Sequence, residues 1–167
     1  VGAGGIGVAL ITVLCSVAFY SMYGNALVMI LVFPAVEVFV KNAMVVAASF
    51  GKPGNGMAAR QVERTTAKSS VQAFFISLIS LAVLFIIGAV FLGWYADYPD
   101  TELIRNILTI TVVGFIVSTI IGLVMSRTAN RVFGMVNGDI LGATNEISRP
   151  FFVFFIYLTI CIVQTVI

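Results

Sequence analysis

The sequence contains no histidine among its 167 residues and little charge of either sign. Without histidine, the protein has no imidazole that could act as a general base or bind zinc or haem. Only 10% of the residues are charged, whereas soluble domains are about one quarter charged. A chain of this composition has too few charged residues to form the water-facing surface of a soluble domain.

Cysteine is also scarce, and the two cysteines, Cys15 and Cys161, lie in apolar stretches far apart in the sequence. Free cysteine behaves as a small hydrophobic residue, so we expect two buried thiols rather than a disulfide or a metal-binding pair. The net charge of +2 is too small to favour nucleic-acid binding, and the charges occupy separate segments instead of one basic patch. The sequence therefore predicts no nucleic-acid partner.

Apolar stretches take up most of the chain, which is 60% hydrophobic. They cover residues 4–20, 25–50, 71–95, 104–125 and 151–167, and each approaches or exceeds the about 20 residues that a helix needs to cross a bilayer. None alternates polar and apolar residues as the strands of a membrane barrel do. The sequence predicts an all-α, polytopic integral membrane protein with about five transmembrane helices, in which residues 1–167 form a single membrane domain of the cell membrane.

The polar segments between the apolar stretches differ in charge, and this difference predicts their sidedness. Residues 51–70 and 126–150 together carry seven of the nine lysines and arginines, whereas residues 96–102 carry three acidic residues and no basic one. Basic loops favour the cytoplasmic side of a membrane. We therefore expect both basic segments in the cytoplasm and the acidic segment on the opposite side.

Two charged residues lie within the second apolar stretch. Glu37 and Lys41 are four residues apart and so share one face of a helix. A charge at membrane depth costs roughly 2.5–3.5 kcal/mol on insertion scales, and such residues usually face each other or a cavity. Two interpretations are open: a self-neutralising pair near the cytoplasmic end, or the polar wall of a substrate cavity that opens to the cytoplasm.

The first basic segment places Arg60, Arg64 and Lys68 at intervals of four, which would form one basic stripe if the segment were helical. Attraction to anionic lipid, worth about 1 kcal/mol per cation, accounts for such a stripe. Phosphate binding is the alternative, because the guanidinium group offers two parallel N–H donors. Arg131 in the second basic segment is a further candidate of the same kind.

The second basic segment contains "VNGDILGATNEISRP", residues 136–150. If this stretch is helical, Asp139, Gly142 and Glu146 fall within about 60° on one face. A glycine between two carboxylates would let a polyanion approach the backbone closely. Two carboxylates, with an amide oxygen from a neighbouring asparagine (Asn137 or Asn145), suit a hard cation such as Mg²⁺, which in turn would hold a phosphate.

Helix capping is the alternative explanation for these acidic residues. Asp139 follows an Asn-Gly turn and could cap the helix after it. A capping box that used Glu146 would need Ser or Thr three residues earlier, where the sequence has Ala143. Capping therefore leaves Glu146 unexplained, which favours a functional site.

The stretch "GMVNGDILGATNE", residues 134–146, resembles the C-terminal signature of the cobalamin-5′-phosphate synthase family, the adenosylcobinamide-GDP ribazoletransferases. That signature has a glycine, then Gly-Asp, two apolar residues, Gly-Ala, one further residue and Asn-Glu. The matching residues are Gly134, Gly138, Asp139, Gly142, Ala143, Asn145 and Glu146. Residues 1–14 and 39–58 resemble two other family segments, with Lys41 where arginine is usual, so the resemblance spans most of the chain.

The resemblance implies a membrane-bound, Mg²⁺-dependent transferase of cobalamin biosynthesis. In its reaction, α-ribazole or α-ribazole 5′-phosphate attacks the corrinoid-side phosphorus of adenosylcobinamide-GDP, and GMP leaves. Such phosphoryl transfer depends on positioning and charge neutralisation, which suits a chain without histidine. The implied residues are Asp139 and Glu146 as metal ligands, the same two with Asn145 as catalytic residues, and Arg60, Arg64, Lys41, Arg131, Gly138 and Gly142 at the substrate and its phosphates.

The family's acidic motif, which resembles Asp-Gly-x-x-Asp-x-x-Asp, does not occur in these 167 residues. We therefore expect an upstream segment of the same polypeptide to carry it, so that residues 1–167 are the C-terminal part of a longer transmembrane enzyme. The oligomeric state is left open, including a homo-oligomer. The alternative function is a transporter or a scaffold subunit of a membrane complex, although the inverted repeats common in transporters are not evident.

Overall fold

The computed structural model describes residues 3–23, 26–56, 58–91 and 100–165. The described residues form six helices: α1 (Ala3–Ser21), α2 (Ala26–Ser49), α3 (Ala59–Arg64), α4 (Ala67–Phe91), α5 (Asp100–Val132) and α6 (Gly138–Thr165). The β-type pairing within these ranges is limited to an isolated bridge between Pro53 and Val136. The predicted all-α class is confirmed.

Four of the helices are long and apolar enough to cross a membrane, over Leu31–Ser49, Ala67–Gly88, Ile104–Val132 and Gly138–Ile162. The described part of α1 adds a shorter apolar helix, Ala9–Ser21. These helices correspond to the five predicted stretches and confirm a polytopic membrane protein. Residues 96–99 of the acidic segment lie outside the described residues.

The polar region at residues 126–150 differs from the long loop that the charge pattern suggested. Helix α5 continues to Val132 and α6 begins at Gly138, so only residues 133–137 connect them. Gly134 ends α5 with a φ of +73°, a left-handed conformation that glycine adopts at low cost. The Asn137 side-chain oxygen accepts a hydrogen bond from the Ile140 N–H at 3.0 Å, so Asn137, not Asp139, caps α6.

Helix α2 lies at the centre of the bundle and packs against α4, α5 and α6, while α1 packs along α6. The middle of the core is aromatic: the Phe39 ring lies 5.5 Å from the rings of both Phe115 on α5 and Phe152 on α6. Gly114 makes this packing possible, because a Cβ there would overlap the Phe39 ring. The central position of α2 brings its two charged residues against α6.

A second apolar cluster closes one end of the bundle, which we call the loop end and define as residues 50–66 and 133–137. Val62 of α3 is buried there beside Val136 and Leu141, so the short helix α3 is held against the start of α6. The cluster also includes alanines of α2 and α5. This packing fixes the position of the α3 backbone, which carries Arg60 and Arg64, although both side chains are exposed.

Hydrogen bonds join the two connecting segments at the loop end. The Val136 N–H donates to the Lys52 carbonyl at 2.7 Å. The Asn130 side chain accepts from the Lys52 N–H at 2.9 Å and donates to the Phe50 carbonyl at 3.0 Å. The two basic segments therefore meet at the same end of the bundle, in agreement with their predicted common sidedness.

Candidate active site

Five polar side chains connect α2 and α6 and are called here the polar network: Glu37, Lys41, Asn145, Glu146 and Arg149. Arg149 donates from Nε to Glu37 Oε1 at 2.7 Å and from Nη1 to Glu146 Oε2 at 2.8 Å. Asn145 donates from Nδ2 to Glu146 Oε1 at 2.7 Å, and Lys41 donates from Nζ to Asn145 Oδ1 at 2.6 Å. The chain of contacts thus runs continuously from Lys41 to Glu37.

The polar network lies well inside the helices rather than at their ends. At 1.5 Å per residue, its members lie roughly 10–18 Å along α2 and α6 from the loop end. Its two cations and two carboxylates neutralise each other, which reduces the cost of charge at this depth. The Arg149, Glu37 and Glu146 side chains are 21%, 26% and 34% exposed, so solvent or a ligand can reach them.

Glu37 and Lys41 contact α6 instead of forming an ion pair with each other along α2. Glu37 forms its ion pair with Arg149, and Lys41 bonds to Asn145. The described contacts include no ion pair between Glu37 and Lys41. Both residues instead line a cavity of about 270 Å³ between α2 and α4, together with Val38, Ile76, Ser77 and Ser80. The structure therefore replaces the self-neutralising pair along α2 with contacts to α6.

The two cations of the polar network, Lys41 and Arg149, determine how the Asn145 and Glu146 side chains are oriented. Lys41 can only donate hydrogen bonds, so the Asn145 amide turns its oxygen toward Lys41 and its N–H group toward Glu146. Arg149 donates to Glu146 from the other side. Residue 146 must accept hydrogen bonds at both oxygens, which a carboxylate does and an amide cannot do. The arrangement explains why a glutamate follows Asn145.

The first turns of α6, on the N-terminal side of the polar network, form a further surface, the open face, which consists of Gly138, Asp139 and Gly142. Asp139 is exposed and forms no hydrogen bond or ion pair with the part of the chain that the structure describes. A Cβ added at Gly142 would meet no atom within 4 Å, and one at Gly138 would meet only the Ala58 Cβ at 3.5 Å. A large ligand can therefore approach the α6 backbone at this point.

The predicted basic stripe is interrupted. Arg60 and Arg64 lie in α3, but the backbone is extended at Thr65, with φ −88° and ψ 111°, and Lys68 belongs to α4. Arg131 lies exposed in the last turn of α5. Across residues 3–23, 26–56, 58–91 and 100–165, no ion pair joins these cations to an acidic residue of α6. They lie near the loop end, where both lipid and phosphate remain candidate partners.

The acidic residues match Mg²⁺ in donor chemistry, but they lie apart along α6, and both Glu146 oxygens already accept hydrogen bonds from Asn145 and Arg149. Mg²⁺ is commonly held by one or two carboxylates, with phosphate oxygens and water completing its shell. Asp139 and Glu146 supply two carboxylates on one helix face, about 10.5 Å apart along the axis at 1.5 Å per residue. One ion could contact both only if their side chains extended toward each other. The described residues contain no group of three acidic or cysteine side chains that could hold a metal ion.

The predicted amide ligands are already engaged. The Asn137 side-chain oxygen caps α6, and the Asn145 side-chain oxygen accepts from Lys41. Each would have to leave its present partner to bind a cation. The remaining ligands of a Mg²⁺ ion would therefore come from the substrate and water.

Two members of the polar network were not among the predicted site residues. Arg149 appeared only as one cation of a basic segment, although its position three residues after Glu146 is a spacing typical of helical ion pairs. Glu37 was recognised only as one member of a charged pair with Lys41 or as part of a polar cavity wall. Its contact with Arg149 joins residues 112 positions apart in sequence, a pairing that no local pattern reveals.

A protein-family model matches most of the chain. The model of the CobS family, cobalamin-5-phosphate synthase, matches residues 1–157. No curated protein and no solved structure gives a significant match. The matched region contains the open face, the polar network and every predicted site residue. Because the match covers nearly the whole chain, the protein belongs to the cobalamin-5-phosphate synthase family and is a membrane enzyme of cobalamin biosynthesis.

Proposed function

We propose that the protein joins adenosylcobinamide-GDP to α-ribazole or α-ribazole 5′-phosphate and releases GMP. An acceptor oxygen of the ribazole forms a new bond to the corrinoid-side phosphorus, the bond from that phosphorus to GMP breaks, and the acceptor proton is released. The observation that carries the proposal is the family match, which includes the Gly-Asp and Asn-Glu pairs of α6. The products would be GMP and adenosylcobalamin or its 5′-phosphate.

The open face of α6 is the proposed binding place of the diphosphate. Gly138 and Gly142 leave the backbone accessible, and the partial positive charge at the α6 N-terminus favours an anion there. Arg60 and Arg64 of α3, with Arg131 of α5, are the proposed phosphate ligands at the neighbouring loop end. Guanidinium groups suit this role because each can donate two parallel hydrogen bonds to phosphate.

Mg²⁺ is the proposed cofactor, with Asp139 and Glu146 as its carboxylate ligands. When bound, the ion would neutralise charge on the diphosphate. The protein's own contribution is to hold the two acidic residues on one face and to orient Glu146 by hydrogen bonds from Asn145 and Arg149. Lys41 fixes the orientation of Asn145 and adds positive charge beside the site. Asp139, Asn145 and Glu146 are accordingly the proposed catalytic residues.

The proposed sidedness places the loop end in the cytoplasm, where a soluble nucleotide-activated substrate would reach it. The two basic segments meet at that end, as the preference of basic loops for the cytoplasm requires. The bilayer itself is the remaining partner, because α1, α4, α5 and α6 expose large apolar side chains, whereas α2 lies mostly inside the bundle.

The test is the initial rate of GMP release by the full-length protein in lipid nanodiscs. We expect release to require adenosylcobinamide-GDP, α-ribazole or its phosphate, and Mg²⁺ together, and to stop when any of the three is omitted. Asp139→Asn is the matched variant, since it keeps size and removes one negative charge. Flux of labelled α-ribazole through liposomes without any GMP release would instead favour the transporter.

A further inference from the structure

The guanidinium group of Arg149 is shared between two carboxylates on different helices. Its Nε donates to Glu37 Oε1 of α2 at 2.7 Å, and its Nη1 donates to Glu146 Oε2 of α6 at 2.8 Å. A guanidinium group that meets a single carboxylate frequently offers it two parallel N–H donors. Among the described contacts, each carboxylate instead receives one hydrogen bond from Arg149.

This division leaves Glu146 Oε1 to Asn145. The Asn145 Nδ2 donates to that oxygen at 2.7 Å, while its Oδ1 accepts from Lys41. If Arg149 paired with Glu146 alone, its second parallel donor would compete with Asn145 for Oε1. Glu37 opposes this competition, because its hydrogen bond to Nε fixes the orientation of the planar guanidinium group.

The charges of the polar network act in the same direction as its geometry. Lys41 and Arg149 face two carboxylates, and without the charge of Glu37 the carboxylate of Glu146 alone would face both cations. Attraction between opposite charges is stronger in a partly buried site than in water. Arg149 would then be drawn to Glu146, and Asn145 would be displaced.

The apolar core holds Glu37 opposite Arg149. Val36 and Val40, on either side of Glu37 in α2, are fully buried, and so is Phe152, one turn beyond Arg149 in α6. Neither helix can rotate without disrupting this packing. Side chains that support a functional site act best when packing holds them in this way.

We propose that Glu37 is a positioning residue of the transferase, which limits Arg149 to one contact with Glu146 and so keeps Asn145 and Glu146 in their catalytic orientation. The inference rests on the proposed function and adds a residue of α2 that acts through Arg149. The alternative is an ion pair between α2 and α6 that serves stability alone. That alternative predicts no effect of Glu37 on the Asn145–Glu146 contact or on the turnover of folded protein.

The first measurement needs neither substrate nor Mg²⁺. The Tm of the full-length protein in nanodiscs is compared for wild type, Glu37→Gln, Asn145→Ala and the double variant. Glu37 and Asn145 share no described hydrogen bond, so independent effects would give additive losses. We expect Asn145→Ala to lower Tm less than half as much in the Glu37→Gln background as in wild type, because Arg149 has then already replaced Asn145 at Glu146. Additive losses overturn the proposal.

The second measurement is the steady-state rate of GMP release. Glu37→Gln should lower kcat at least fivefold and leave the KM of adenosylcobinamide-GDP within twofold of wild type, because it misplaces catalytic residues and removes no substrate contact. In an Arg149→Met background the same replacement should change kcat less than twofold, since Glu37 then has no residue to act through. Glu63→Gln is the matched control: Glu63 is exposed on α3, forms no ion pair with the described residues, and should leave Tm and kcat unchanged.

Substitute variants keep both measurements decisive. Glu37→Asp, which withdraws the carboxylate by one methylene group, replaces Glu37→Gln if the latter fails to fold. Arg149→Lys, which keeps the charge without parallel donors, replaces Arg149→Met for the same reason. A wild-type kcat in folded Glu37→Gln, or equal losses of kcat in the two backgrounds, overturns the proposal. Coupled losses of Tm in a wild-type protein that releases no GMP would instead refute the proposed function alone.

Discussion

The variant Glu146→Gln tests two roles of Glu146 separately. Its hydrogen bonds in the polar network affect stability, and its proposed contact with Mg²⁺ affects activity. The carboxylate accepts from Asn145 on one side and from Arg149 on the other. Glutamine can accept on only one side, and its amide N–H group would face a donor on the other. Rotating the Asn145 amide does not relieve the conflict, because its N–H group would then face the Lys41 ammonium.

The size of the effect follows from these contacts. An unsatisfied buried donor costs about 1–3 kcal/mol, and water partly relieves this cost because the Glu146 side chain is 34% exposed. We therefore expect a loss of about 1 kcal/mol in the free energy of unfolding, which corresponds to a fall of about 2–4 °C in Tm for a chain of this size. Asp139→Asn is the matched control, since Asp139 has no described partner and its replacement should leave Tm unchanged.

Activity should respond differently from stability. If both carboxylates serve Mg²⁺, each variant should lower the rate of GMP release at least tenfold, equivalent to about 1.4 kcal/mol or more in the barrier. Excess Mg²⁺ should partly restore the rate. The assay combines thermal unfolding in nanodiscs with GMP release at limiting and at saturating Mg²⁺. Near-wild-type rates in both variants at limiting Mg²⁺ would refute the metal site, and an unchanged Tm in Glu146→Gln would refute the reasoning about the network.

Two further predictions concern sidedness and the open face. In a cysteine-free background, Thr66→Cys should react with a reagent from the cytoplasmic side and Tyr98→Cys only from the opposite side; equal accessibility would contradict the predicted topology. Gly142→Ala should lower kcat/KM at least threefold without a fall in Tm, because the added methyl group meets no described atom within 4 Å and alanine favours the helix. Gly122→Ala should lower Tm instead, since its Cβ would lie 2.6 Å from the Ala43 carbonyl oxygen; a fall in Tm for Gly142→Ala would contradict the open face.

The helices could be predicted because long apolar stretches require internally bonded backbone in a bilayer. The 3.6-residue period also placed Asp139, Gly142 and Glu146 on one face, and the helical structure of residues 138–165 agrees with that condition. The sequence did not show how far α5 and α6 extend into the polar segment at residues 126–150. Charge marks a polar environment there, but it does not prevent α5 and α6 from continuing through it.

The contacts across the bundle could not be predicted. Glu37 lies as close to Lys41 in sequence as an ion pair along one helix requires, yet its partner is Arg149 on α6. That choice depends on the rotation of α2 against α6, which is determined by the packing of Phe39 between Phe115 and Phe152. Long-range packing therefore decides which charged residues meet.

The most direct test of the proposed transferase is the mass of the corrinoid product formed by the full-length protein in nanodiscs. With adenosylcobinamide-GDP, α-ribazole and Mg²⁺, we predict a corrinoid that carries the nucleoside, formed in equal amount to GMP. Asp139→Asn should form at least tenfold less of both products at limiting Mg²⁺. Recovery of unchanged adenosylcobinamide-GDP, or GMP without a nucleoside-bearing corrinoid, would contradict the proposed reaction.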